Sequence, residues 1–307
     1  MYRCSVVSAM LALCLFTSIA RAQAPRAAYD HYRRASALHQ KGDLDGAIAD
    51  FTEAIRISSS LGNGRRKTDA AFNFDQVKVL DPLAAQAYAG RGLMRYLKRE
   101  YDEAIEDCSA AVKINPRLSD AYNYRGLCHF AKKDWDAAMN DFNRAVATDP
   151  RNAEAINNRG NVHSEKGDFA RAIADFDQTL KLKPSLARTL YNRGSARREM
   201  GDQEGALRDF EQALALDPRL AHGYYGRGLI RCDREELDQG LSDFSRAIEL
   251  NPRLAAAYAN RGLTLMRQSK DVQALDDLER AVALDPSLKE DLAKRVEFVK
   301  QWRERRR

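Results

Sequence analysis

Histidine and cysteine are the residues in this chain most able to bind metal or act as nucleophiles, but they are scattered. None of the five histidines lies at metal-ligand spacing from a cysteine or a carboxylate. The sequence also lacks a phosphate-binding glycine-rich loop and a nucleophile elbow. These observations predict a protein that is not an enzyme and has no metal site and no cofactor.

Arginine and aspartate, in contrast, recur in register. Seven arginines are each followed, at one constant spacing, by an aspartate: Arg34, Arg91, Arg125, Arg159, Arg193, Arg227 and Arg261, with Asp50, Asp107, Asp141, Asp175, Asp209, Asp243 and Asp277. An arginine column alone could bind anions, but the matched acids favour structural ion pairs. The spacing leaves open whether each arginine meets the aspartate that follows it or the one that precedes it.

A regular period positions these columns. Prolines stand at equal intervals along the chain: Pro82, Pro116, Pro150, Pro184, Pro218, Pro252 and Pro286. Proline lacks the amide donor and restricts the preceding residue, so each proline is predicted to end a helix. Within one period, Ala172, Ile173 and Phe176 share a helical face, and Gly167-Asp168 separates this helix from the one before it. Each period therefore predicts a helical hairpin.

The residues inside the period resemble a known repeat. The residues that carry the resemblance, each with copies in the other repeats, are Tyr88, Arg91-Gly92, Ala104, Ala111 and Pro116. The pattern resembles the tetratricopeptide repeat, in the form found in exported bacterial proteins. The period matches that repeat's length of about 34 residues. The resemblance covers Ala85 to Leu288 as six repeats and, more loosely, Ala28 to Ser58 as a seventh. It implies an all-α fold, a right-handed superhelical solenoid of antiparallel helix hairpins, and a protein-binding scaffold rather than a catalyst.

Glycine recurs where the first helix of each repeat must approach the second closely, as at Gly126 and Gly228. A small residue faces it, alanine in most repeats and Gly240 in one. A phenylalanine such as Phe142 fills the adjacent volume, and Cys108 is the smaller copy. We therefore expect a close helix pair in every repeat.

Both ends of the chain depart from the repeat. Residues 1–22 predict a signal peptide, because Cys4 to Ala20 carry no charge and Ala20-Arg21-Ala22 is a small-x-small cleavage pattern. An uncleaved anchor is the alternative. Cleavage predicts a protein that is periplasmic or secreted and has no integral membrane span. Three cysteines would then remain, and a disulfide between Cys108 and Cys128 is left open.

Four segments follow from these patterns. After the signal peptide, residues 23–84 are predicted to hold a degenerate N-terminal repeat and an orphan helix, and residues 85–286 six regular repeats. Residues 287–307 are predicted to form a capping helix with an Arg-rich tail, since Leu288, Leu292, Val296, Val299 and Trp302 make an apolar stripe. The first hairpin either packs on the array or forms a movable flap, and packing is the preferred alternative.

The resemblance places the first helix of each repeat on a concave, ligand-facing groove. The candidate partner-binding residues on these helices are Asn123, Asn157, Asn161, Tyr191, Arg198 and Tyr225. Asparagine can satisfy both the N–H and the C=O of an extended peptide, so an extended peptide is the expected ligand. The carboxylate clamp of chaperone-binding relatives is incomplete, because His222 and Gly226 replace the required Lys and Arg.

Charge narrows the choice of partner. The net charge is +6, and residues 287–307 hold eight basic and four acidic residues, which leaves the body nearly neutral. A nucleic-acid partner is therefore not expected. The leading hypothesis is a non-enzymatic scaffold in the cell envelope or periplasm that binds a peptide or protein partner. One alternative is an envelope-associated assembly factor that contacts anionic lipid or polymer through Arg303, Arg305, Arg306 and Arg307. An enzyme with an unrecognised site is a second alternative.

Overall fold

The computed structural model describes residues 26–63 and 74–305, and all regular structure in these residues is helical. The first helix, α1, covers residues 26–40. The others are α2 (Leu44–Asn63), α3 (Phe74–Leu97), α4 (Tyr101–Ile114), α5 (Ser119–Ala131), α6 (Trp135–Thr148), α7 (Ala153–Glu165), α8 (Phe169–Leu182), α9 (Ala187–Glu199), α10 (Gln203–Leu216), α11 (Ala221–Asp233), α12 (Leu237–Leu250), α13 (Ala255–Arg267), α14 (Asp271–Leu284), a 3₁₀ turn (Pro286–Leu288) and α15 (Lys289–Glu304). The predicted signal peptide, residues 1–22, lies outside the described residues.

Consecutive helices pack in pairs, as α5 with α6 and α11 with α12, and neighbouring pairs of one unit also pack together, as α4 with α5 and α12 with α13. This is the all-α repeat solenoid that the resemblance to the tetratricopeptide repeat implied. The contacts divide the chain into two compact units, with the boundary between Val162 and His163, inside α7. The first unit holds the helices before this boundary and the second unit holds those after it, and each is described by itself below.

A tight turn joins the two helices of each hairpin. One residue in each turn has a positive φ; these residues are Gly42, Arg99, Lys133, Gly167, Gly201, Glu235 and Ser269. An aspartate then starts the second helix in several repeats. For example, Asp202 at the N-cap of α10 accepts a hydrogen bond from the backbone N–H of Gly205. The predicted break at Gly167-Asp168 is such a turn.

Phenylalanine side chains fill the space between the helices of a pair, as expected. Phe142 in the first unit and Phe244 in the second are completely buried. A Cβ atom added to Gly126 would lie 2.7 Å from the Phe142 ring, and one added to Gly228 would lie 2.8 Å from the Phe244 ring. The predicted close approach at glycine is confirmed in both units.

Helices end before six of the seven repeat prolines, as predicted; α4, for example, ends at Ile114, shortly before Pro116. The prediction is wrong at Pro82, which lies inside α3. The predicted orphan helix therefore continues into the first helix of the next repeat. The packing of the turn after the proline offers a reason: Ala87 is fully buried in a core that also holds Phe51 and Met94. Tertiary packing of this kind can outweigh the local cost of a proline.

The first hairpin, α1 and α2, packs on α3. Ala35 of α1 and Phe51 of α2 share a buried cluster with Met94 of α3. The structure therefore has the packed arrangement and not the flap.

The last helix, α15, covers the end of the second unit. Leu292 and Val299 are buried against Leu263 and Leu278, and Leu288 and Val296 pack beside them. Trp302 is half-buried, with the Arg267 guanidinium 5.5 Å from its ring centre. The predicted apolar stripe is confirmed. No helix among the described residues is both long and apolar enough to cross a membrane.

Candidate functional site

The arginine and aspartate columns pair within the same hairpin at six of the seven predicted positions. In the first unit Arg125 Nε donates to Asp141 Oδ2 at 2.8 Å and Nη2 donates to Oδ1 at 2.7 Å. The same two-bond pattern joins five other pairs: Arg34–Asp50, Arg91–Asp107, Arg193–Asp209, Arg227–Asp243 and Arg261–Asp277. The predicted ion pairs are therefore confirmed at six positions, and each of these arginines meets the aspartate that follows it, in its own hairpin.

A second arginine reinforces three of these pairs, and the repeat pattern did not predict it. It lies one helical turn after the first arginine: Arg95, Arg197 and Arg231 donate to Asp107, Asp209 and Asp243 at 2.7–2.8 Å. The aspartates are almost completely buried. Hydrogen bonding to Asp209 raises the pKa of the Arg193 guanidinium above its ordinary value. These charges hold the hairpins together and do not form an anion site.

The asparagines of the first unit form a chain of hydrogen bonds. Asn158 Nδ2 donates to Asn123 Oδ1 at 3.0 Å, and Asn157 Nδ2 lies 3.5 Å from Asn158 Oδ1. Asn123 was predicted as a groove contact, but its side chain is only 1% exposed in the structure. Its amide is buried because Asn158, on the first helix of the next repeat, packs over it. Asn157 and Asn161 remain half-buried.

In the second unit Tyr191 and Tyr225 occupy equivalent positions on α9 and α11 and are half-buried. The Tyr191 ring lies 5.8 Å from Phe210 and 5.8 Å from His222, and the Tyr225 ring lies 6.0 Å from Phe244. Each tyrosine therefore packs its ring on a core phenylalanine, and neither is fully buried.

Polar groups surround the Tyr225 hydroxyl. It accepts a hydrogen bond from Asn260 Nδ2 at 3.2 Å, and Asn260 Oδ1 accepts one from Arg295 Nη2 at 2.9 Å. Burial raises the pKa of Tyr225, while the positive charges of Arg198 and Arg295 act in the opposite direction. We call Tyr191, Arg198, Tyr225, Asn260 and Arg295 the tyrosine–arginine surface.

The structure thus brings together three of the six predicted residues, Tyr191, Arg198 and Tyr225, in the second unit. Sequence reasoning missed Asn260 and Arg295. Asn260 directly follows Ala259, which stands in the same column as the two tyrosines. Arg295 lies on the capping helix, where the sequence predicts partner contact only from Arg303 onward. Their polar side chains were the available signal.

The three described cysteines lie in the packed core. Cys108, Cys128 and Cys232 are buried free thiols. Burial raises the pKa of Cys128 to about 12, and it also raises the pKa of Cys108 and Cys232. Across residues 26–63 and 74–305 no three His, Cys, Asp or Glu side chains are grouped in a way that could hold a metal ion.

One arginine of the Arg-rich C-terminal end forms an ion pair inside the fold. Arg303 Nη1 lies 2.6 Å from Asp271 Oδ1, and its side chain is 16% exposed. This ion pair joins α15 to α14 and uses one of the four arginines assigned to anionic contact. The hypothesis of an anion-binding tail therefore gains no support from the described residues.

Repeat-family models match most of the chain. Models described as tetratricopeptide repeat match residues 11–62, 85–118, 161–223 and 225–288, and one described as TPR repeat matches residues 126–167. The sequence matches no curated protein at significant similarity.

Several solved structures share the fold. A tetratricopeptide repeat protein from Parabacteroides merdae is 18% identical, with 89% of this chain and 99% of that chain covered and a TM-score of 0.61. The APC/C hetero-tetramer Cut9-Hcn1 gives 15% identity, coverage of 87% and 58%, and a TM-score of 0.64. The structure of pilF of Pseudomonas aeruginosa is 20% identical, with 68% of this chain and 92% of that chain covered and a TM-score of 0.57. These structures share the fold, and the repeat models show that this chain belongs to the tetratricopeptide repeat family.

Proposed function

We propose that this protein is a non-enzymatic scaffold that binds an extended peptide segment of a partner protein. Family membership supports the general role, because tetratricopeptide repeats are generally protein-interaction scaffolds. The tyrosine–arginine surface of the second unit is the observation that carries the proposal. It offers two half-buried aromatic rings, an amide and two guanidinium groups on three successive first helices and the capping helix.

The chemistry of this surface suits a peptide backbone. Arg198 and Arg295 can donate to backbone carbonyls or to acidic side chains, and the rings of Tyr191 and Tyr225 provide rigid contact area. Tyrosine and arginine are also the residue types that most often dominate protein interfaces. Asn157 and Asn161 give the first unit amide groups of the same kind, and we propose them as contacts there.

Selection of peptides from a random 12-residue display library on the full chain tests this function. We expect enriched peptides that bind Arg198→Ala about 10-fold more weakly than the parent, because a hydrogen bond to a charged group is lost. Arg208→Ala is the matched control: Arg208 is exposed on α10, the second helix of its repeat. Failure to enrich any peptide, or equal binding to the parent and Arg198→Ala, would reject the proposal.

We also propose that the protein is exported to the periplasm or secreted, after removal of residues 1–22. The support is the uncharged stretch and the small-x-small pattern in the sequence. Cell fractionation followed by N-terminal sequencing tests this. The expected result is a non-cytoplasmic protein beginning at Gln23; a cytoplasmic protein that retains its leader would contradict it.

A further inference from the structure

A pocket of about 370 Å³ opens in the second unit between α11, α13 and α15. Its apolar walls include Leu229, Leu263, Phe298 and Val299. The volume lies at the small end of the range for pockets that bind ligands, about 300–1,000 Å³. The pocket has room for one large side chain.

Phe298 is the most unusual residue of this pocket. Its neighbour in sequence, Val299, is buried in the core, but Phe298 is 68% exposed. An exposed aromatic ring beside a concave apolar wall is the arrangement expected where a ligand side chain is to be covered.

The rim of the pocket is positively charged. Arg267, Lys294 and Arg295 line it, with Asp233 as the single acid among the lining residues. Arg267 is already paired with Glu235 at 2.8 Å. Lys294 has no ion pair or side-chain hydrogen bond with any described residue. Arg295 Nη2 donates to Asn260 Oδ1 at 2.9 Å, and Arg295 Nη1 lies 3.7 Å from Asp291 Oδ2, an acid outside the pocket lining. Lys294 therefore keeps an uncompensated positive charge at the mouth of the pocket, and this charge favours an acidic ligand.

The pocket is continuous with the tyrosine–arginine surface, because Asn260 and Arg295 belong to both. A peptide that lies across the tyrosines therefore reaches the mouth of the pocket. We propose that this pocket sets partner specificity: it seats one aromatic or large aliphatic side chain of an acidic peptide segment, whose neighbouring carboxylates meet Lys294 and Arg295. This inference rests on the proposed peptide-binding function and names the chemistry of its ligand.

Three fluorescent 12-residue peptides test the proposal on the full chain. The first has a central Asp-Phe-Glu in a Gly-Ser background, the second has Asn-Phe-Gln, and the third has Asp-Ala-Glu. Fluorescence anisotropy should show the first peptide binding at least 10-fold more tightly than either twin, with an affinity that falls as salt is raised. Equal binding of all three, or binding of none, would overturn the proposal.

Two variants locate the binding. Phe298→Ala should weaken binding of the first peptide at least 5-fold. The double variant Lys294→Glu with Arg295→Glu should weaken it at least 10-fold. The controls are Leu275→Ala, an exposed apolar residue of α14, and Lys300→Glu, a lysine of α15 outside the pocket lining. Both controls should bind like the parent, and melting curves should show that every variant is folded.

The failure of this inference differs from failure of the scaffold function. Library peptides that bind and respond to Arg198→Ala but not to Phe298→Ala would overturn the pocket and leave the scaffold function intact. Self-association of the parent that is lost in Phe298→Ala, measured by sedimentation, would assign the pocket to a second copy of the chain and would also overturn the proposal.

Discussion

Arg261 and Asp277 form an ion pair in which one arginine supplies both hydrogen bonds: Nε donates to Oδ2 and Nη2 donates to Oδ1, each at 2.7 Å. Asp277 is 3% exposed. In the preceding repeat Asp243 also accepts a hydrogen bond from a second arginine, Arg231, at 2.7 Å. Leu265 stands at the equivalent position beside Asp277. The two buried aspartates therefore differ in how much they depend on a single partner.

We predict that Arg261→Ala lowers the free energy of unfolding by about 3 kcal/mol, because it leaves a buried carboxylate without its partner. Arg227→Ala should cost about 1–2 kcal/mol, since Arg231 remains bonded to Asp243. Urea unfolding of both variants measures the difference. Equal losses would show that the second arginine does not compensate, and losses under about 1 kcal/mol would show that the pairs behave as exposed ones.

The ion pairs also show how far the sequence could lead. The constant spacing predicted that arginine and aspartate meet, because both columns follow the repeat. The spacing could not show whether each arginine pairs with the aspartate that follows it or with the one that precedes it, because either aspartate lies on a helix next to the arginine. The structure shows that, in the six pairs described above, each arginine meets the aspartate that follows it. It also adds Arg95, Arg197 and Arg231, which reach an aspartate only because their turn of the first helix faces the second helix.

Gly240 and Cys232 are complementary in size. A Cβ added to Gly240 would lie 2.3 Å from Cys232 Sγ, whereas most other repeats carry alanine at this position. We predict that Gly240→Ala destabilises the protein by about 1–3 kcal/mol through overpacking. In the double variant with Cys232→Ala, the loss should be smaller than the sum of the single losses, by at least about 0.5 kcal/mol. Additive losses in denaturant unfolding would show that the two side chains do not compete for space.

Cys128 makes stability depend on alkaline pH. Its pKa is raised from the ordinary value of 9.0 to about 12 by burial. The unfolded thiol ionises above pH 9 and the folded thiol does not, so its contribution is complete below pH 9 and is lost as pH rises toward 12. Cys128→Ala should make the decline in unfolding free energy shallower by up to about 1.4 kcal/mol per pH unit between pH 9.5 and 11. Parallel declines in parent and variant would contradict this.

The candidate site was only partly predictable. Tyr191 and Tyr225 stand one repeat period apart, so the repeat itself placed them at equivalent positions. Asn123 has the same position but is buried, because side-chain packing from Asn158 decides its exposure and the period does not. Arg295 lies outside the period, and only the packing of α15 brings it to Asn260.

The amides of the first unit give an independent prediction. Changing Asn157 and Asn161 together to Ala should weaken binding of a library-selected peptide by about 1–3 kcal/mol, because hydrogen bonds to the peptide backbone are lost. The melting temperature should change little, since both side chains are half-buried on the surface. Calorimetric titration measures the affinity, and Asn143→Ala, an exposed residue of α6, is the control. Full affinity in a folded double variant would remove these amides from the proposed contacts.

Photo-crosslinking most directly tests the central claim, which is that a peptide binds on the tyrosine–arginine surface. His222 is exposed and its ring lies 5.8 Å from Tyr191, so His222→benzoylphenylalanine places a photoreactive ring beside the tyrosine–arginine surface. Arg208→benzoylphenylalanine places one on the second helix of the preceding hairpin. The account predicts that a selected peptide crosslinks to position 222 and not to position 208. Crosslinking at position 208 with none at position 222 would contradict it.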